Sequence, residues 1–384
     1  MRRPHPGEVG TLIPAAVHGT CDPAFAAVRE AFENNFTEHD ELGASLCVMV
    51  GGRTVVDLWG GSARDDGTPW QADTLVNAFS VGKGVTAVLA ARAVADGHLA
   101  FDDPVSRHWR EFAGGGKETV SFRSLLGHRA GLPAVRRDLH ETAMYEWSTM
   151  TTTLATETPW WEPGARHGYH VNTFGFLVGE VLRRTTGRGP AGLLRDWVRG
   201  ETGADLWFGV PASEHRRIAD LHWNASPTLP RDRSSLSDHE IMYMNAHANP
   251  PGLSGVGHVN TAEWRSAEMP STNLHASARG VARLYGALLD GFVPRAVLDD
   301  AVTEVSDGVD AVLGRNTRFA AGFQLPIPER TFGPNPGAFG HYGAGGSMGF
   351  ADPQAGFAVG YVMNRMGQGW QNPRNRSVIA ALYA

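Results

Sequence analysis

Lysine is almost missing from this sequence, which holds only Lys83 and Lys117 among its 34 basic residues. Arginine supplies the positive charge everywhere else. Arginine stays protonated at working pH, whereas a buried lysine can lose its proton and act as a base. Lys83 stands three positions after Ser80, so one of the two lysines lies beside a candidate nucleophile. This pair is the first indication of chemistry in the chain.

Other absences narrow the class of protein. Cys21 and Cys47 are the only cysteines, which fits a reduced protein better than one held together by disulfides. No apolar run approaches the ~20 residues of a membrane span, and the first eight residues lack the apolar core of a signal peptide. The net charge is −6 with no basic run. We therefore expect a cytoplasmic protein that has neither nucleic acid nor a membrane as a partner.

The hydrophobic pattern predicts a sheet that both chain ends build. Two strand-like runs flank Gly51 and Gly52 and predict a hairpin, and an Ala- and Val-rich run predicts a buried helix. The predicted strands are 44–50, 54–59, 320–325, 337–341, 346–350 and 357–363, and the main predicted helices are 22–38, 81–95, 173–186 and 275–289. This order indicates an antiparallel sheet with a helical insert between its two halves.

Ser80 and Lys83 form the strongest candidate site. A serine hydroxyl is a poor nucleophile until a nearby base takes its proton, and positions i and i+3 share one face of a helix. At the start of the helix, the backbone N–H of Ser80 can serve as half of an oxyanion hole. Burial in an apolar helix lowers the pKa of a lysine such as Lys83. The alternative is a helix-capping serine with an incidental lysine.

Tyr169 and a late glycine-rich strand are the second and third candidates. Tyr169 ends a loop just before a predicted helix, where a phenol can relay a proton to a leaving group. Its alternative role is a core tyrosine bonded to a carbonyl. Near His341, Tyr342 and Gly343, glycines allow a ligand to approach closely, and Ala344 can supply the second oxyanion N–H. We expect His341 and Tyr342 to line the pocket, the alternative being a bulged strand without a ligand.

These motifs together resemble the class C β-lactamase-like superfamily, and most of all its esterase branch, the family VIII carboxylesterases. Ser80-x-x-Lys83, Tyr169 and His341-x-Gly343 stand in the same order, and the similarity includes 125–133 (LLGHRAGLP) and 339–353 (FGHYGAGGSMGFADP). The resemblance covers nearly the whole chain. It implies Ser80 as nucleophile, Lys83 as general base and Tyr169 as proton relay.

The resemblance also implies an α/β (α+β), β-lactamase/transpeptidase-like fold. In that fold helices flank an antiparallel sheet, and a second, mostly helical domain stands beside it. We expect residues 1–78 and 270–384 to form the α/β domain. Residues 79–269 form the helical domain, which carries Ser80, Lys83 and Tyr169 at the cleft between the two.

Two departures from class C β-lactamases bear on the substrate. Those enzymes carry Tyr-x-Asn, but here Val171 takes the third position and Asn172 is displaced by one. They also carry Lys-Thr-Gly on the late strand, where His341 would be mostly neutral near pH 7. We therefore expect hydrolysis of carboxylic esters with at most weak β-lactam turnover. A β-lactamase or D-amino-acid peptidase, an acyltransferase and a non-catalytic scaffold remain alternatives.

Several other patterns carry no function. Residues 345–349 match Gly-x-Ser-x-Gly, but that elbow needs a histidine further along, and none follows His341, which rejects Ser347 as nucleophile. The histidines, including His128, His167 and His170, lack zinc-ligand spacing, and no dinucleotide motif occurs.

We expect no metal and no cofactor, and a small-molecule ester or acyl substrate. The residues favour neither a monomer nor a homo-oligomer. Pocket wall and core are equal alternatives for Trp160, Trp161, Trp207, Trp223, Met242, Tyr243 and Met244.

Overall fold

The computed structural model describes residues 16–223 and 235–384. The predicted domains include residues 1–15 and 224–234, which lie outside the described residues. The strands are β1 (Val17–Cys21), β2 (Gly43–Val50), β3 (Arg53–Gly61), β4 (Val76–Asn77), β5 (Leu206–Trp207), β6 (His275–Ala276), β7 (Ser306–Val309), β8 (Asn316–Phe319), β9 (Phe339–Tyr342), β10 (Met348–Asp352) and β11 (Phe357–Met363).

The main sheet has six strands in the order β1-β3-β2-β11-β10-β9, and every neighbouring pair is antiparallel. Its centre joins the two chain ends, because β2 lies beside β11 with Val48 opposite Val359. The sheet therefore forms from both chain ends, as the sequence predicts. The exact division into residues 1–78 with 270–384, and 79–269, stays a prediction.

Most of the helices lie in the sequence between β3 and β9, that is, between the two parts of the chain that build the main sheet. The helices are α1 (Ala26–Glu38), α2 (Val81–Ala95), α3 (Val105–His108), α4 (Phe122–Leu126), α5 (Trp147–Thr156), α6 (Thr173–Thr186), α7 (Pro190–Leu193), α8 (Gly200–Thr202), α9 (Asp238–Ala248), α10 (Ala262–Ser266), α11 (Ala278–Leu289), α12 (Arg295–Ala301) and α13 (Pro373–Leu382). In the described residues, no helix combines the length and apolarity that a membrane crossing requires.

The two faces of the sheet are covered by different helices. Side chains alternate along a strand, so neighbouring residues of β11 point to opposite faces. Tyr361 packs against Phe32 of α1, and α1 packs against α13. Gly360 faces α11 instead, where an added Cβ would lie 2.3 Å from the Ala278 carbonyl oxygen. Burial on both faces explains why β2 and β11 are apolar along almost their whole length.

Local patterns located most elements, with two clear errors and shifts of one to four residues at the ends of others, such as β9, β10 and α1. The hairpin, helix α2 over residues 81–95 and strand β11 over residues 357–363 are confirmed. The predicted strand 320–325 is wrong, because β8 ends at Phe319 before it. The predicted helix 275–289 begins too early: His275 and Ala276 pair with neighbouring strands, and the Ser277 hydroxyl caps α11 by accepting the Gly280 N–H at 3.1 Å.

Candidate active site

Residues 77–80, here called the nucleophile segment, lead from strand β4 into helix α2. The Ala78 N–H donates to the Leu274 carbonyl at 2.7 Å, which fixes the segment to the chain beside β6. Phe79 has a φ of +48°, in the left-handed region that a residue with a large side chain rarely adopts. This bend sets Ser80 at the first turn of α2 with its side chain at the surface of a cavity.

Lys83 is buried directly behind Ser80. Its Nζ lies 3.1 Å from Ser80 Oγ, 2.6 Å from the Val171 carbonyl oxygen and 3.0 Å from the Ser271 carbonyl oxygen. Burial lowers the pKa of Lys83 well below its ordinary value. A neutral amine has two N–H groups and one lone pair, which match two carbonyls and one hydroxyl. The geometry therefore suits a neutral Lys83 that accepts the Ser80 proton.

Glycines on both sides of Lys83 let neighbouring elements approach α2. A Cβ added at Gly82 would lie 2.5 Å from the Pro270 carbonyl oxygen. A Cβ added at Gly84 would lie 2.4 Å from the Tyr285 hydroxyl. The run Ser-Val-Gly-Lys-Gly thus provides the close packing that excludes water from the Lys83 amine, which is the physical cause of its lowered pKa.

Tyr169 lies on the other side of Lys83. The Lys83 Nζ is 4.7 Å from the centre of the Tyr169 ring, and Tyr169 and Ser80 line the same cavity. Burial raises the pKa of Tyr169 well above its ordinary value, and the neighbouring Ser80 side chain offsets part of that rise. Within the described residues, the hydroxyl makes no hydrogen bond of good geometry. The alternative role of a core tyrosine bonded to a carbonyl does not fit this hydroxyl.

The backbone around Tyr169 is held by residues that the sequence did not single out for this task. The buried Asp310 carboxylate accepts the Tyr169 N–H at 2.9 and 3.0 Å, and also accepts two N–H groups of its own turn. On either side, the Gly168 N–H donates to the His128 carbonyl at 3.0 Å and the His170 N–H donates to His128 Nδ1 at 3.2 Å. Residues 125–133, which include His128, therefore position Tyr169.

The three histidines near Tyr169 are structural. Burial lowers the pKa of His170 to about 4, and its ring accepts the Leu132 N–H at 3.0 Å while donating to Gly168. His128 is fully buried with a lowered pKa, and His167 Nε2 lies 2.9 Å from Thr317 Oγ1. In the part of the chain that the structure describes, no group of three or more potential metal ligands comes together.

The end of strand β9 approaches the nucleophile segment closely. A Cβ added at Gly343 would lie 2.3 Å from the Ala78 carbonyl oxygen, so only glycine fits there. Ala344 follows and lines the same cavity as Ser80. Among the described residues, neither the Ser80 N–H nor the Ala344 N–H has an acceptor in the protein. Two free N–H groups at one cavity are the elements of an oxyanion hole.

His341 and Tyr342 do not line the cavity, which corrects the expectation from the sequence. Both are fully buried. The His341 ring stacks behind Tyr169 at 6.2 Å, its Nδ1 donates to the Tyr342 carbonyl at 2.7 Å, and burial lowers its pKa. The Tyr342 hydroxyl points away and donates to the Thr331 carbonyl at 2.6 Å. A neutral His341 cannot supply the fixed charge of a lysine at this position.

The cavity beside Ser80 has a volume of about 680 Å³ and walls that are largely apolar. Of the large middle residues, Trp223 and Tyr243 line it, whereas Trp160, Trp161 and Met242 pack in a separate small core. Trp207 and Met244 are also absent from its walls. Asn172 lines the cavity, but its amide already donates to Ala246 and Ser254 and accepts from Thr272. Ser347 is fully buried, which agrees with its rejection as nucleophile.

A model of the family described as Beta-lactamase matches residues 28–384. The chain belongs to the beta-lactamase family. Esterase/beta-lactamase LipL of Mycobacterium tuberculosis (strain ATCC 25618 / H37Rv) is 32% identical over 368 residues, which cover 91% of this chain and 83% of that protein. Its name links the beta-lactamase family to esterases.

Solved structures agree with this assignment to the beta-lactamase family. A family VIII carboxylesterase aligns with a TM-score of 0.88 and 35% identity, covering 96% of this chain and 99% of that chain. A penicillin-binding protein homolog from Caulobacter crescentus aligns with a TM-score of 0.87 and 38% identity over the same shares. The fold is β-lactamase/transpeptidase-like, as the resemblance implied. The protein is a serine hydrolase of the beta-lactamase superfamily, close to family VIII.

Proposed function

We propose that this protein is a carboxylesterase that cleaves small carboxylic esters through an acyl-enzyme on Ser80. The observation that carries the proposal is the buried Lys83 amine, 3.1 Å from Ser80 Oγ, with two backbone carbonyls occupying its N–H groups. The carboxylesterase and the LipL relative carry this activity in their names. The loss of the late-strand lysine and the largely apolar cavity favour esters over β-lactams.

The first half of the reaction forms the acyl-enzyme. Neutral Lys83 takes the proton of the Ser80 hydroxyl as Oγ attacks the ester carbonyl carbon. The carbonyl oxygen becomes negative and accepts hydrogen bonds from the N–H groups of Ser80 and Ala344. As the tetrahedral intermediate collapses, the C–O bond to the alcohol breaks. The Tyr169 hydroxyl donates its proton to the departing alkoxide and regains one from the Lys83 ammonium.

The second half releases the acid. A water molecule gives a proton to Lys83, through Tyr169 or directly, while its oxygen attacks the acyl carbonyl. The same two N–H groups hold the second oxyanion. Collapse breaks the bond between the acyl carbon and Ser80 Oγ, which takes back its proton from Lys83. Each residue returns to its starting state, so the cycle needs no further reactant.

The two lysines provide a matched test of this mechanism. Lys117 is also buried, but it donates to the carbonyls of Ala155 and Glu157 far from Ser80 in sequence and stacks on Phe112. We expect Ser80→Ala and Lys83→Met to lose turnover of p-nitrophenyl butyrate. Lys117→Met should lose stability in thermal unfolding and keep its turnover per folded molecule. Full activity of Lys83→Met would refute the proposal.

Two further measurements distinguish a serine esterase from a β-lactamase or an acyltransferase. A fluorophosphonate probe followed by peptide mass spectrometry should label Ser80 in the wild type and not in Ser80→Ala. A chromogenic cephalosporin, run beside the butyrate ester, should turn over slowly or not at all. Dominant cephalosporin hydrolysis would assign the enzyme to the β-lactamase side of the superfamily instead. Transfer of the acyl group to added alcohols in preference to water would identify an acyltransferase.

A further inference from the structure

Trp370 separates the cavity beside Ser80 from a second cavity of about 520 Å³. Two guanidinium groups contact its indole: the Cζ atoms of Arg315 and Arg330 are each 4.7 Å from its ring centre. The indole also meets the Tyr169 ring edge-on at 5.0 Å. Arg315 and Trp370 line both cavities, so this stack is a wall that the catalytic cavity shares with its neighbour. We call Arg315, Trp370 and Arg330 the arginine–tryptophan wall.

The positive charge of this wall is poorly neutralised. In residues 16–223 and 235–384, neither Arg315 nor Arg330 forms an ion pair, whereas Arg318, on the strand that follows Arg315, pairs with Glu304 at 2.8 Å. Arg330 donates to the backbone carbonyl of Asn316 at 3.3 Å, and the Arg315 guanidinium contacts the indole. Among the described residues, the second cavity adds Arg376, whose guanidinium donates to the Glu329 backbone, and one acidic residue, Glu329, whose charge acts favourably on Arg330.

The lowered pKa of Arg330 also indicates positive charge in the arginine–tryptophan wall that the protein does not fully offset. Burial lowers the pKa of Arg330 to about 10, and the neighbouring charge of Arg315 contributes to that shift. Two cations with spare N–H donors therefore contact one aromatic ring. A bound anion would offset the repulsion between the two cations, and guanidinium groups match the geometry of a carboxylate. Arg315 is exposed at the rim, where a ligand in the catalytic cavity can reach it.

We propose that the arginine–tryptophan wall binds a carboxylate at the far end of the substrate, so that the enzyme prefers monoesters of dicarboxylic acids to neutral esters of equal length. The inference rests on the proposed esterase function, because it assigns a substrate class to that same cavity. It also explains how a chain with a neutral His341 on the late strand keeps a fixed positive charge near Ser80. The charge is supplied from the β7–β8 hairpin instead.

The test compares two esters of the same chain length, p-nitrophenyl hexanoate and p-nitrophenyl hydrogen adipate. The quantity measured is the ratio of their kcat/KM values, adipate over hexanoate, in the wild type and in Arg315→Gln. A charged hydrogen bond contributes about 1.5–3 kcal/mol, so we expect the ratio to fall about 10- to 100-fold. Raising the salt concentration should also lower the wild-type ratio, because Arg315 is exposed.

Arg318 supplies the matched control. It lies on β8, three residues after Arg315, but pairs with Glu304 at 2.8 Å and does not line either cavity. Arg318→Gln should leave the ratio unchanged. An unchanged ratio in Arg315→Gln would overturn the proposal, and so would an equal fall in the control.

Binding without turnover distinguishes failure of this inference from failure of the esterase proposal. Monomethyl adipate and methyl hexanoate are titrated into Ser80→Ala by calorimetry. Tighter binding of the adipate, lost when Arg315→Gln is added, supports the wall as an anion site even if the wild type hydrolyses neither nitrophenyl ester. Equal binding of both esters would overturn the wall as an anion site, whatever the enzyme hydrolyses.

Discussion

Replacing Tyr169 by phenylalanine removes one oxygen atom and leaves the packing in place. The ring stacks on Phe319 at 5.7 Å and meets Trp370 edge-on at 5.0 Å, and phenylalanine keeps both contacts. The hydroxyl is buried and has no hydrogen bond of good geometry within the described residues. Because no bonded partner is stranded, the free energy of unfolding of Tyr169→Phe should equal or slightly exceed that of the wild type.

The expected loss is in the chemical step. Proton transfer by a positioned group contributes about 10²–10⁴ in rate, which corresponds to about 3–5 kcal/mol of barrier. We expect kcat/KM of Tyr169→Phe for p-nitrophenyl butyrate to fall by that factor, with fluorophosphonate labelling of Ser80 slowed and not abolished. On one preparation, initial rates measure the loss of kcat/KM, fluorophosphonate labelling measures the reactivity of Ser80, and urea unfolding measures the stability.

Tyr342→Phe is the matched control, for which we expect lost stability and retained activity. The Tyr342 hydroxyl donates to the Thr331 carbonyl at 2.6 Å and accepts from Gln371 at 2.8 Å. Its removal deletes both of these hydrogen bonds, at about 0.5–1.5 kcal/mol of unfolding free energy each, while Gln371 still donates to the Thr331 carbonyl at 2.8 Å and the reacting atoms are untouched. A Tyr169→Phe variant that keeps more than a tenth of wild-type activity would refute the proton relay.

Three further predictions follow from buried groups and close contacts. Because burial lowers the pKa of Lys83 and the neutral amine is the base, a pH–rate profile should fall as pH drops through that lowered pKa; a profile that rises only above pH 10 would contradict it. Arg374→Met should cost about 3–5 kcal/mol in urea unfolding at pH 8 by stranding the buried Glu41 carboxylate, and less at pH 5. Burial raises the pKa of Glu41 to about 7, so at pH 5 it is protonated in the fold and carries no stranded charge. Gly343→Ala, whose Cβ would lie 2.3 Å from a carbonyl oxygen of the nucleophile segment, should lose esterase activity, whereas Gly337→Ala meets open space and should keep it.

The residues that local chemistry can identify were predictable from the sequence. Ser80 and Lys83 are one helical turn apart, so their contact needs only the helix itself, and the apolar run that follows predicts its burial. The hairpin before them depends on two glycines with positive φ, Gly51 and Gly52, and turn chemistry is also local. Tyr169 was identified by its order relative to these motifs.

The residues that the sequence did not reveal act across long separations. Asp310 bonds to Tyr169 from 141 positions away, and nothing in its own neighbourhood indicates that partner. His341 was expected in the pocket because it lies on the right strand, but the strand places it behind Tyr169 and against α2. Arg315 belongs to no motif, and only the fold brings it to Trp370. Strand register and tertiary packing determine where Asp310, His341 and Arg315 lie, and the hydrophobic periodicity of the sequence does not predict either.

The pairing of β2 with β11 sets the order in which the molecule can be completed during synthesis. A chain made from its N-terminus contains helix α2 early, but the neighbour of β2 arrives only when residues 357–363 have been made. Closing so long a loop is slow, because the entropy of the intervening chain is lost before the strands gain any contact. Ser80 therefore exists in the nascent chain long before Ala344 joins its cavity, and hydrolytic activity should appear only after the last strand has entered the sheet.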